Sequence, residues 1–318
     1  MQDMSMKKIL DCNFDNRQLV RQPKNLTSFV KEHVSEFLDL ALDEKGNKHY
    51  NSYITSESEN EEIERSQKSF MILSNSPKNV MDSLLTDNLF FIKVTKIMPT
   101  LSCNSFSILA KNLASRISSI FLNLFNKEKD VSQLFDSIGF MPLLLKYAGD
   151  QMVFELFHFL FSQNDDLKEM QNCIYQINIG EFILDEMENE SLKEFFEDND
   201  SDNSSVSSED QSVPLNKKNN LCLLIKDCLM NPILKPSVLK EKILLKLCEW
   251  SQESQNIAYI NIEDYANQDS ELLLFNNIWN VISLFPTKNF ANSLSNLFTF
   301  ALEAIQVLLN RINDMKSN

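Results

Sequence analysis

Four glycines serve a chain of 318 residues, where average usage would supply about 22. Glycine fills the backbone positions with φ > 0 that hairpin turns, bulges and phosphate-cradling loops require. Gly46, Gly139, Gly149 and Gly180 are too few to build a many-stranded sheet. Helices joined by short polar loops need far fewer, so the chain is read as all-α. At 43% hydrophobic residues it can bury a large core, as one elongated domain or two compact ones.

Apolar periodicity supports this reading. Residues 1–25 are polar, contain Pro23 and read as a flexible lead-in. From Leu26 to Leu42, Phe29, Val30, Val34, Phe37, Leu38 and Ala41 recur at helical steps. After a glutamate-rich loop, Ser76-Pro77 reads as a cap with proline in the next first turn, and a helix from Asn88 is expected to end at Pro99. The clearest stripe is Phe106, Leu109, Leu113, Ile117, Ile120 and Leu124, with Lys111, Asn112 and Arg116 off it. Helices opened at Asp130, Pro142, Gly149-Asp150, Asp165-Asp166 and Gly180-Glu181 follow, with a helix C-cap expected at Gly139. Many short amphipathic helices suit an irregular α-solenoid of HEAT- or armadillo-like repeats over residues 26–197; an irregular helical bundle is the alternative.

Residues 198–220 are acidic and serine-rich, and too poor in apolar side chains to offset the entropy of ordering. They read as a disordered insertion. Helices resume over 221–318 and end in one from about Ala291 to Ile312, striped by Leu294, Leu297, Phe298, Ala301, Ile305 and Leu308. Within the insertion, Asp198, Asp200, Asp202, Ser204 and Glu209 match the spacing of an EF-hand loop. Asn203 stands where the sharp turn needs glycine, and Ser212, Val213 and Pro214 are poor material for an exit helix, so no metal site is assigned. Ser56, Ser58 and Ser207 each have an acidic residue three positions on (Glu59, Glu61, Asp210), the pattern acid-directed kinases favour, and are the candidate phosphorylation sites.

The net charge of −15 argues against a general nucleic-acid surface, which gains affinity by neutralising phosphates. It would also be repelled by anionic lipid headgroups. No run of 18 apolar residues predicts a membrane span, and MQDMSMKKIL lacks the apolar core of a secretory signal. Cys12, Cys103, Cys173, Cys222, Cys228 and Cys248 form no CxxC pair and read as reduced core thiols of a cytoplasmic or nuclear protein.

Chemistry-bearing motifs are not found. No glycine pair stands at dinucleotide or P-loop spacing, and there is no GxSxG elbow. His33, His49 and His158 are far apart and none falls in HExxH or HxE. His158, in FELFHFLF, reads as a helix-face histidine with a hydrogen-bond partner. No catalytic, cofactor or metal residue is assigned, and the chain is expected not to be an enzyme.

Four segments carry a resemblance: ILSNSPKNVMDSLLTDNLFFIKVTKIM (72–98), SFSILAKNLASRISSIF (105–121), DVSQLFDSIGFMPLLLKYAGD (130–150) and INIGEFILDEM (177–187). Together, over about residues 70–190 of this chain, they resemble the central part of the SAPS family, helical-repeat proteins associated with type-6 serine/threonine protein phosphatases. Arg116 stands where that family has a basic residue near a helix end, and Ile138-Gly139 stands at its Ile-Gly turn. Gln176-Ile177 replace the tryptophan common before its last helix. The resemblance implies a non-catalytic regulatory or scaffold subunit that binds a phosphatase catalytic subunit. The alternative is an armadillo-like adaptor with an unrelated client. A third possibility is a helical hydrolase or transferase whose site is assembled from distant residues, which a deep pocket holding His158 or perturbed carboxylates would favour.

Overall fold

The computed structural model describes residues 10, 24–44, 47, 57–103, 108–127, 139–197, 212–260, 265–286 and 288–295. Every regular element among them is helical. The chain divides into two compact units, Met1–Leu160 with Asn164–Cys173 and Phe161–Gln163 with Ile174–Asn318. The division falls inside the region 26–197 that the sequence suggests is continuous.

The first unit contains α1 (Lys24–Glu32), α2 (Val34–Ala41), α3 (Glu57–Ser74), α4 (Lys78–Leu85), α5 (Leu89–Cys103), α6 (Ile108–Lys127), α7 (Met141–Leu145), α8 (Gln151–Phe161) and the start of α9 (Lys168–Gln176). Its core forms because the stripe of α6 is apolar at every turn: Leu113, Ile117 and Ile120 are fully buried and Leu124 nearly so. Phe121 stands edge-on to Phe90 of α5, centroids 4.8 Å apart at 86°, an arrangement favoured by the ring quadrupoles.

Polar side chains of α6 close the ends of neighbouring helices. A helix leaves its last four carbonyls unbonded. Arg116 Nη1 donates to Ala41 O, at the end of α2, and to Ser66 Oγ, each at 2.7 Å, while its guanidinium lies 5.2 Å from the Phe70 ring centroid. Asn123 Nδ2 donates to Leu73 O and Ser76 O at 3.3 Å, at the end of α3. Arg116, expected off the packed stripe, is therefore half-buried, and the desolvation lowers its pKa to about 10.

Several expected boundaries move. The helix α5 runs through Pro99 to Cys103, because the segment beyond the proline is held in the core: Leu101 is buried and its carbonyl accepts the Tyr147 hydroxyl at 2.7 Å. Ser76 does not cap α4; its hydroxyl donates back to Ile72 O, and Pro77 is the cap residue. Asn164, not Asp165 or Asp166, supplies the side-chain cap ahead of α9 by accepting from Asp166 N–H. Asp150 does cap α8, accepting from Met152 and Val153 N–H. No described glycine has positive φ; Asn88 and Asn178 take that conformation, at 55° and 56°. Their short polar side chains make it tolerable. Gly139 therefore supplies no left-handed cap, and a Cβ there would meet nothing within 4 Å.

The second unit contains α10 (Ile179–Glu197), α11 (Ser212–Met230), α12 (Lys235–Val238), α13 (Glu241–Ile260) and α14 (Tyr265–Ile282). Helix α11 packs against α10, α12 and α14, and α13 packs against α10 and α14. Gly180 lets α10 start directly against α12, since a Cβ there would collide with the Ser237 carbonyl. Helix α11 begins at Ser212, well ahead of the expected end of the insertion at 220, with Pro214 in its first turn, where a missing N–H costs nothing. Ion pairing supplies what apolar content does not. Lys217 Nζ lies 2.8 Å from Glu186 Oε2 and 2.9 Å from Glu190 Oε1, all three side chains being buried. Lys218 pairs with Glu253 at 3.2 Å and lies 5.5 Å from the centroid of the buried Trp250. The remainder of the insertion and all five EF-hand-spaced residues lie outside the described residues, as does most of the expected helix 291–312.

Candidate functional site

Residues the sequence singles out do not converge. Ser56 and Ser207 lie outside the described residues, and Ser58 is described only as backbone in the first turn of α3. His33 joins α1 to α2: its ring stacks on Phe29 at 4.1 Å and Nδ1 lies 3.0 Å from Phe29 O. His158 is exposed on α8 and stacks on Phe154 at 5.6 Å. His49 is outside the described residues. Among the described residues no three His, Cys, Asp or Glu side chains are grouped to hold a metal ion, and no helix is long and apolar enough to cross a membrane.

A groove of about 580 Å³ lies in the second unit between α10 and α13. Helical geometry builds it. Leu184 and Glu188 are four apart on α10, and Lys242, Leu245, Glu249 and Gln252 recur at three- and four-residue steps on α13, so each set lies along one face. Lys246, Cys248 and Ser293 complete the lining. Gly180 and the Lys240–Glu181 ion pair, 2.6 Å long, fix the N-terminal ends of the two helices near one another.

The groove is mixed in character. Leu184 and Cys248 form an almost buried floor, whereas Leu245 is 50% exposed. Burial raises the Cys248 thiol to about 11, so it is neutral and a poor nucleophile at physiological pH. Lys246 pairs with Glu249 along the same helix at 2.6 Å. Lys242 and Glu188 have no ion-pair partner among the described residues and stand on opposite walls. Lysines and glutamates lining the groove beside a half-exposed leucine can take a helical or extended segment with an apolar anchor.

On the side of α10 facing α11 sits the Glu186–Lys217–Glu190 cluster. It links the two helices and contributes nothing to the groove lining. The only trace of this cluster in the sequence is two glutamates four apart and a Lys-Lys pair, a pattern equally suited to a solvated face. The groove itself leaves a weaker trace still, because Leu245 fits the apolar stripe of a buried helix. The chain matches no known family model, no curated protein and no solved structure.

Proposed function

We propose that this chain is a non-catalytic scaffold that binds other proteins, with a serine/threonine phosphatase catalytic subunit as client and the α10–α13 groove as a docking surface. The observation that carries it is Leu245, half exposed in a groove whose lining also holds Lys242, Lys246, Glu188 and Glu249. A half-exposed leucine in a concavity with a polar rim offers a partner an apolar contact surrounded by polar ones. The choice of client comes from the resemblance of residues 70–190 to the SAPS proteins, whose last segment, INIGEFILDEM, forms the start of α10. In this reading the helices stack as a HEAT- or armadillo-like solenoid, and the protein works in the cytoplasm or nucleus.

Capture of the tagged full-length chain from its own cells, followed by mass spectrometry, tests the proposal. A near-stoichiometric phosphatase catalytic subunit, lost on Leu245→Asp, is the expected result. A different dominant partner, with no phosphatase, would overturn the client and leave the armadillo-like adaptor with an unrelated one.

A further inference from the structure

Helix α13 carries an exposed stripe, Lys242, Leu245, Glu249 and Gln252, on its groove side. Between these positions Ile243, Leu244, Leu247 and Trp250 are buried, so the core of the unit uses the other faces of the helix and leaves this one over. In its middle stands the half-exposed Leu245, with a cation one turn before it and an anion one turn after. The order of the charges matters. Turned end for end, cation–leucine–anion becomes anion–leucine–cation, which is its own complement.

We propose that this stripe is the contact between two copies of the chain, paired through antiparallel α13 helices about a two-fold axis beside Leu245. A two-fold contact is isologous, so every interaction is made twice. With the axis between positions 245 and 246, residues equally far on either side of it come level. Lys242 of each copy then faces Glu249 of the other. As a helix rises about 1.5 Å per residue, the two Leu245 side chains are within about one such step of level and cover one another. Flanking opposite charges fix the antiparallel direction, as at the edges of a coiled coil; a parallel pair would set lysine against lysine. Glu249 also pairs with Lys246 of its own helix, but its side chain is 54% exposed, and such a surface pair is weak, which leaves the carboxylate open to a second cation. The net charge of −15 opposes association in general, so the attraction is confined to the stripe. The pairing stands on α13 alone and goes beyond the client reading; a client in the same groove competes with the second copy.

Sedimentation equilibrium of the full-length chain through the micromolar range tests it. The mass is expected to rise toward that of two chains, and to stay at that of one in Leu245→Asp. Lys242→Glu and Glu249→Lys each set like charges against one another twice, and each should weaken association about tenfold. Mixed in equal amounts, these two variants regain both Lys–Glu facings and should sediment as a heterodimer. The double variant carrying both exchanges should dimerise by itself. All three positions are exposed, and unchanged tryptophan fluorescence checks that the variants fold. A chain that stays monomeric overturns the proposal. So does a dimer that survives Leu245→Asp, or a mixture of the two charge variants that stays monomeric. If the heterodimer forms and no phosphatase is captured, the client reading fails and the pairing stands. If phosphatase is captured by a chain that never dimerises, the pairing fails and the client reading stands.

Discussion

In the first unit, half-buried polar side chains bond backbone: Arg116 and Asn123 of α6 donate to carbonyls left over at the ends of α2 and α3. In the second, charges bond one another: buried Lys217 is held between the buried Glu186 and Glu190, and buried Lys218 against the half-exposed Glu253. The difference lies in what each group depends on. A carbonyl that loses its donor is a neutral dipole, and its cost is limited. A buried carboxylate that loses a cation held against it is a poorly compensated buried charge, and the cost is several times larger. The first unit should therefore degrade gradually under substitution and the second abruptly. Both tryptophans, Trp250 and Trp279, lie in the second unit, so their fluorescence follows that unit alone while far-ultraviolet circular dichroism follows both.

The sharpest break is Lys217→Met, which takes the buried ammonium away from Glu186 and Glu190. It should destabilise the second unit by about 3–5 kcal/mol, read as a shift of the fluorescence midpoint in urea. Replacing all three members by Met or Leu should recover most of that loss. If the triple variant is as unstable as the single one, the cluster is not what sets the cost. Next comes Gly180→Ala, whose methyl group would force α10 away from the Ser237 carbonyl at about 1–3 kcal/mol, seen in the same fluorescence transition. In the first unit, Arg116→Met keeps an apolar stem but removes the donors to Ala41 and Ser66 and the guanidinium over Phe70. About 1–2 kcal/mol should go, visible in circular dichroism with the tryptophan signal unmoved.

The smallest effect is a pH dependence. The hydrogen bond and charge of Lys240, aided by Lys242, hold the Glu181 carboxyl below its usual range. A depressed folded pKa gives stability that is present above the ordinary glutamate value, about 4.3, and is lost as pH falls through the folded value. Lys240→Ala should flatten that acid slope. As the pair is exposed, added salt should flatten it too.

Much of the architecture was legible in the amino acids. Scarce glycine pointed to helices, and Leu113, Ile117, Ile120 and Leu124 occupy the buried stripe that their spacing indicates. What escaped were contacts between residues distant in sequence. Arg116 looks solvated in its own helix because its partner carbonyl lies 75 positions away. Pro99 looks like a terminus because the Tyr147 hydroxyl that secures the next turn is 46 positions beyond Leu101. The start of α11 looked unstructured because its stabilising partners are glutamates of the preceding helix. Composition is local, whereas ion pairing across helices is not. The groove escaped for a related reason: helical spacing marks Leu245 as apolar, but only the packing of α10 on α13 decides that it stays open.

The asparagines in left-handed turns have a consequence for how the protein ages. Asparagine side chains cyclise onto the following backbone nitrogen and deamidate, fastest when the next residue is small. Asn88 and Asn178 are followed by Leu89 and Ile179, whose bulk obstructs that ring closure. Taking φ near 55° from asparagine rather than glycine therefore does not leave these two turns prone to decay. Peptide mapping after prolonged warming should find isoaspartate at Asn75, which precedes Ser76, before either of them; early conversion at Asn178 would show that its backbone geometry outweighs the shielding by Ile179.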